Sequence, residues 1–212
     1  MIAPQFRACN SPDLPQALKK YIEENHGTDL WNACSDGINN AKKIKDELVN
    51  AHAFASDTEQ MVKLQELFAK DYQYSMLFNK YFSFGSKTDQ INCQFKCKDS
   101  FSGASVQSFN ALFDALGSKY NLGVAYARQG CFMNLEGDGI KHASKAFQQA
   151  AWIFDDLSKN VSQLAPSDIT PDFTNEGLTC LSNLMLAQAQ YLFYKMATEK
   201  KMSPDILSKT AL

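Results

Sequence analysis

Asn134, Glu136 and Asp138 alternate along the chain ahead of Gly139, imitating the first half of an EF-hand loop, where oxygen ligands precede a glycine turn. Position twelve of such a loop needs a bidentate glutamate; here it is Lys145, so the stretch reads as a polar turn rather than a calcium site. Gly85-Ser86-Lys87-Thr88 ends like a phosphate-binding loop, but the upstream glycine and the strand-loop-helix setting are missing, and a surface loop is expected. The three histidines, His26, His52 and His142, stand outside any HExxH pattern, and no serine occupies GxSxG. Asp155 and Asp156, adjacent on a predicted helix, point about 100 degrees apart and read as a solvated face, not an acid-base pair. The expectation is a protein that is not an enzyme, with no cofactor and no metal.

Cysteine supplies no stronger signal. Cys9, Cys34, Cys93, Cys97, Cys131 and Cys180 include no CxxC pair and no Cys/His cluster at zinc spacing, so reduced and mostly buried thiols are expected. Lys and Arg total 21 against 23 Asp and Glu, a formal charge of -2, which calls for neither nucleic acid nor a membrane surface as the main partner. The opening MIAPQFRACNSPDLP lacks a charged segment followed by an apolar one, and no run reaches the roughly 18 to 20 apolar residues of a transmembrane segment. A cytoplasmic location is the default, and the Asn160-Val161-Ser162 sequon is then incidental.

These residues must be held by helices for the most part. Ser11 to Asp13 and Pro15 start an apolar-periodic stretch (Leu14, Leu18, Tyr21, Ile22) that stops at Asn25-His26-Gly27, and a second helix is expected from about Leu30 to Ala53. Ser56 and Glu59 form a capping box ahead of Met61, Leu64, Leu67, Phe68, Tyr72 and Leu77, predicting a third helix over 57–79. The period then changes: Ile91, Cys93, Phe95 and Cys97 alternate with polar residues, as a short strand does. Ile2, Phe6 and Ala8 could provide a partner strand, which Pro4 confines to an edge. From about Ser105 onward the pattern is helical again, with breaks at 136–139, at 165–171 and at Ser203-Pro204, for six to seven helices in all. The fold class is therefore mainly α, a helical array with a small β-hairpin or sheet from the N-terminal segment and residues about 90–98. Within it, Leu122-Gly123-x-x-Tyr126-x-x-x-Gly130 and Ala143-x-x-x-Phe147-x-x-Ala150 resemble a tetratricopeptide helix pair with an enlarged turn, in which small residues let two helices approach and aromatic rings fill the space between.

The string from Asp138-Gly139-Ile140-Lys141 through Ala143, Lys145, Phe147, Gln148, Ala150, Ala151 and Phe154 is similar to a DEGLKxAxKxFQxAxGxF stretch. Ile169-Thr170-Pro171-Asp172, Leu184-Met185-Leu186-Ala187-Gln188-Ala189-Gln190 and Lys98-Asp99-Ser100-Phe101 match the ISPD, LMLAQAQ and WKDAF segments of the same family, with Cys97 in place of its tryptophan. By these strings the chain resembles the Bro-one domain of Alix-type endosomal adaptors and of the His-domain phosphatase, weakly over its whole length and well over 97–209. The resemblance implies a boomerang-shaped, tetratricopeptide-like helical domain whose usual partner is the C-terminal amphipathic helix of an ESCRT-III subunit of the Snf-seven type. It also implies a cytoplasmic protein recruited to endosomes in multivesicular-body sorting. Carried over residue by residue, the groove's aromatic anchor falls on Phe193 and its aliphatic anchor on Ile206. A second aliphatic position falls on Thr210, a departure for which Leu207 substitutes if the helix is rotated, and an acidic groove residue falls on Asp138. Residues 1–212 are expected to be a single such domain cut short on its C-terminal side, leaving an apolar face uncovered and favouring lower stability or self-association. The alternative readings are a rhophilin-type small-GTPase effector scaffold and an oligomerisation platform without a peptide ligand.

Overall fold

The computed structural model describes residues 1–51 and 55–210, and the side chains of Asn50 and Thr210 are also outside that description. The expected end of the second helix at Ala53, and His52, lie outside the described residues.

Helix α1 (Leu14–His26) buries Leu14, Leu18 and Ile22, one side chain per turn on a single face. The Asp13 carboxylate accepts from the Gln16 backbone N–H at 3.2 Å, and Gly27 with φ of 88° lets the chain leave in a conformation that disfavours a side chain. Helix α2 (Thr28–Ala51) follows, then α3 (Thr58–Tyr81). The predicted capping box at Ser56 and Glu59 is displaced by one residue. Asp57 accepts from Gln60 N–H at 2.9 Å while the Gln60 side chain accepts from Ser56 N–H at 2.7 Å, the same reciprocal pairing with Asp and Gln as its members.

Strand β1 (Phe95–Lys98) points Phe95 and Cys97 inward and Lys96 and Lys98 outward, as the alternation implied. Its partner is β2 (Ser105–Ser108), antiparallel with Phe95 opposite Ser108, whereas those residues were expected to begin a helix. The turn between them explains the difference. Asp99 accepts from the N–H groups of Phe101 and Ser102 and from the Ser102 hydroxyl, and Gly103 takes φ of 73°, reversing the chain before α4 can start. The N-terminal segment meets β1 as a single bridge pair at Cys9 rather than as a strand, flanked by Asn10 N–H to Lys96 O at 2.9 Å and Lys98 N–H to Ala8 O at 3.0 Å.

Cys9 and Cys97 are joined by a disulfide, which overturns the expectation of reduced thiols for this pair. A bridge needs close Cβ atoms, and the pairing of two distant segments at this bridge supplies them. Of the others, Cys93 is buried, Cys34 and Cys131 are half-buried and Cys180 is exposed.

Helices α4 (Ala111–Phe132), α5 (Asp138–Asn160), α6 (Asn175–Glu199) and α7 (Pro204–Thr210) complete seven helices among the described residues. Three short 3-10 turns fill 161–173, a wider break than the sequence suggested. Each helix from α1 to α7 packs against its neighbours in sequence, giving a serial array. Close approach of α4 and α5 rests on glycine: a Cβ on Gly123 would stand 3.0 Å from the Phe154 ring and one on Gly130 2.9 Å from the Phe147 ring. Phe147 and Phe154 are fully buried there, and Tyr126, the other ring expected between the helices, is half-buried.

Residues 1–10 form a strap across this array. The Gln188 side-chain amide pairs with both backbone groups of Ile2, and the Asn121 amide does the same for Arg7, at 2.8 and 2.9 Å. Arg7 is fully buried, bonded to Asp172 and to Thr170, with its guanidinium 4.0 Å from the Phe173 ring centre. Asp172 in turn accepts from Ser100 N–H at 2.7 Å and donates its own N–H to Asp99 at 3.0 Å. The Lys98-to-Phe101 and Ile169-to-Asp172 strings, far apart in sequence, thus meet around one arginine.

Candidate functional site

Partner-binding side chains must be apolar yet left outside the core, and α6 is where that combination is densest. The helix is apolar on all sides: Leu178, Leu181, Met185, Ala189 and Leu192 face inward and are buried, while Leu186, Tyr191, Phe193 and Tyr194 remain exposed. Phe193 keeps 36% of its surface open to solvent and Ile206, on α7, keeps 44%, so neither belongs to the core. Ser203 begins α7 with its carbonyl accepting from the N–H groups of Ile206 and Leu207, and Pro204 at the first helical position needs no donor. Lys201 with φ of 51° makes the corner between α6 and α7, which lie against one another. Leu207 is half-buried, and Thr210 closes α7 with its side chain outside the described residues.

Asp138 opens α5 and is exposed. Its carboxylate accepts from Lys141 Nζ at 2.8 Å, and that bond, aided by the charges of Lys141, His142 and Lys200, holds it below the usual carboxylate range. The loop ahead of it is tied to α6 by Lys195 Nζ, which donates to Leu135 O at 2.9 Å, two residues from Phe193. Asp138, Phe193 and the α6–α7 corner are therefore gathered toward one end of the array, by the packing of α5 on α6 and of α6 on α7.

Across the EF-hand-like stretch Gly139 N–H donates to Glu136 O at 3.0 Å and Asp138 Oδ1 accepts from Lys141, forming a polar turn into α5. Among the described residues no group of three or more His, Cys, Asp or Glu side chains is placed to hold a metal ion. No described helix is long and apolar enough to cross a membrane.

Two features lay beyond the sequence reading. Lys45 of α2 is buried between Asp71 of α3 and Asp114 of α4, its Nζ 3.0 and 2.6 Å from their carboxylate oxygens, with Ser118 and Ser75 donating to the same two groups. Burial alone would lower the Lys45 pKa, but the two carboxylates more than offset it and hold the ammonium charged; Asp114 is pushed upward, chiefly by burial. This cluster locks the first three long helices together. The other feature is Trp152, exposed on α5, with Lys119 of α4 beside it.

A family model described as BRO1-like domain matches residues 1–212. Among curated proteins, ALG-2 interacting protein X of Dictyostelium discoideum is 24% identical over 212 residues, covering all of this chain and 26% of the relative. Rhophilin-1 of mouse is 29% identical over 213 residues, covering 96% of this chain and 32% of the relative. The chain thus spans about a quarter to a third of the length of these two proteins. Among solved structures, the ALIX BRO1 complex with CHMP4C superposes with a TM-score of 0.85 at 23% identity, over all of this chain and 60% of that one, which shows the same fold.

Proposed function

The chain belongs to the BRO1-like domain family, and from that premise we propose that it is a non-enzymatic adaptor that binds the C-terminal amphipathic helix of an ESCRT-III subunit in endosomal sorting and membrane scission. The observation that carries the reading is the pair of apolar side chains, Phe193 and Ile206, left open to solvent on packed consecutive helices. A helix docking in a groove presents apolar residues at i, i+3, i+4 and i+7 and needs exposed apolar counterparts, which Phe193 and Ile206 provide. Asp138 stands at the same end as an acceptor for a basic or amide side chain of the partner. The adaptor works in the cytoplasm and is brought to endosomes by what it binds.

The similarity to rhophilin-1 supports a second reading, a small-GTPase effector scaffold. A folded GTPase calls for a broad polar face; the exposed aromatic residues of α6 favour the helix.

The test is a fluorescence-anisotropy titration of a labelled ESCRT-III C-terminal helix with the wild-type chain and with Phe193→Asp and Ile206→Asp, each fold being checked by circular dichroism. The expected dissociation constant is micromolar, about -8 kcal/mol. Each substitution should weaken binding by roughly 2 kcal/mol or more, about thirtyfold. A folded wild-type chain that does not bind the helix rejects the proposal.

A further inference from the structure

Helix α5 presents one open stripe from its start to Trp152. Asp138, Lys141, Lys145, Gln148 and Trp152 are all exposed, at spacings of three, four, three and four, so they share a single face. At about 1.5 Å per residue, the fourteen steps from Asp138 to Trp152 span about 21 Å, four turns. Trp152 is the anomaly on that face: 65% of its surface is exposed, and its indole N–H has no hydrogen-bond partner among the described residues.

The setting of Trp152 is built. Lys119 of α4 forms an ion pair with Asp156, one turn further along α5, which holds its ammonium 5.9 Å from the Trp152 ring centre and 5.1 Å from that of Tyr72 on α3. Three consecutive helices thus contribute a ring, a cation and a ring in one row, with the charge of Lys119 already neutralised by its own chain. What Trp152 offers a partner is therefore apolar surface and one hydrogen-bond donor. Between Trp152 and Asp138 the face carries Lys145, which has no ion-pair partner among the described residues.

We infer that Trp152 is a second anchor for the helical partner, engaging an apolar side chain about four turns from the Asp138 end of the same interface. The inference rests on the proposed docking at Phe193 and Ile206, with which the α5 face is continuous through Asp138. The occupant is an amphipathic helix of at least four turns, with an apolar residue meeting Trp152 and a carboxylate between the two ends to meet Lys145. Tryptophan is the residue type most enriched among interface side chains that dominate affinity, because a flat ring excludes water from a large area while losing little rotamer freedom.

Replacing Trp31 by Phe leaves Trp152 as the sole tryptophan of the full chain. That variant is titrated with the synthetic C-terminal helix of an ESCRT-III subunit while tryptophan emission is followed, and Trp152→Ala is compared with wild type by anisotropy against the same labelled helix. The expected results are a blue shift of Trp152 emission that saturates with binding, and a loss of affinity of about tenfold or more in Trp152→Ala. Helix binding that Phe193→Asp abolishes, with Trp152 emission unmoved and Trp152→Ala within about twofold of wild type, overturns this inference and leaves the docking site standing. Absence of binding by the wild-type chain removes both.

Discussion

Reducing the bond between Cys9 and Cys97 should weaken the fold by several kcal/mol. The two residues are 88 positions apart, so the bridge closes a long loop in the unfolded chain. In the chain-entropy treatment that loop removes roughly 15 cal/mol/K from the unfolded state, about 4.6 kcal/mol at 25 °C. The native contribution of the surrounding contacts survives reduction, since the strap stays clamped by Asn121 and Gln188 and by the buried Arg7, so the loss should approach that figure without exceeding it. Two assays bear on it. Thiol titration of the unreduced, denatured chain should find four reactive groups of the six cysteines. Urea unfolding followed by circular dichroism, with and without reductant, should show a lower midpoint and a steeper slope on reduction, because the unfolded chain without its cross-link exposes more surface, and Cys9→Ala should behave as the reduced protein does. Six reactive thiols before reduction, or midpoints that coincide, would refute the reasoning.

Lys45→Met leaves the Asp71 and Asp114 carboxylates buried without their cation and should destabilise the protein by about 3 to 5 kcal/mol in urea unfolding; adding Asp71→Asn and Asp114→Asn should recover much of that loss. Gly130→Ala places a Cβ 2.9 Å from the Phe147 ring and should lower stability by about 1 to 3 kcal/mol, measurable as a reduced Tm with the helical signal intact. Asp99 gives a pH signature. Burial pushes its carboxyl up, but hydrogen bonds from Asp172 and Ser102 outweigh this and hold it well below the usual range. A depressed carboxylate stabilises the fold above its unfolded pKa, near 4, and that stability is lost as the pH falls toward the folded value. Asp172 is pushed the other way, chiefly by burial and in part by its hydrogen bond with Asp99; the variant Asp99→Asn should melt lower than wild type at pH 7, and the gap should narrow below about pH 4. A gap that stays constant from pH 7 to pH 2.5 would count against it.

Most helices were legible because their burial follows from local period alone, as Leu14, Leu18 and Ile22 show in α1. The alternation from Ile91 to Cys97 was legible for the same reason. Its partner strand was not: Ser105-Val106-Gln107-Ser108 contains one apolar residue, and its extended form is set by the Asp99 turn and by pairing rather than by its own composition. The disulfide and the Lys45 cluster join segments tens of residues apart, and spacing carries no information about which distant side chains meet.

The site was legible in a narrower sense. Leu192, Phe193 and Tyr194 are three consecutive apolar residues on α6, and a helical period cannot say which of them is buried when every face is apolar. The array decides it: α5 covers the side bearing Leu181, Met185 and Leu192, and Leu192 is the one of the three enclosed. A helix apolar all round needs a second cover, which α7 supplies in part and an amphipathic partner would complete over Phe193 and Ile206. The same logic reaches Trp152 from the opposite direction. On α5 the period is unambiguous and puts that position among charged and amide residues, where Trp152 lies open to a partner. The two kinds of misfit, an overly apolar helix and one ring out of phase on a polar face, point to one elongated partner rather than two.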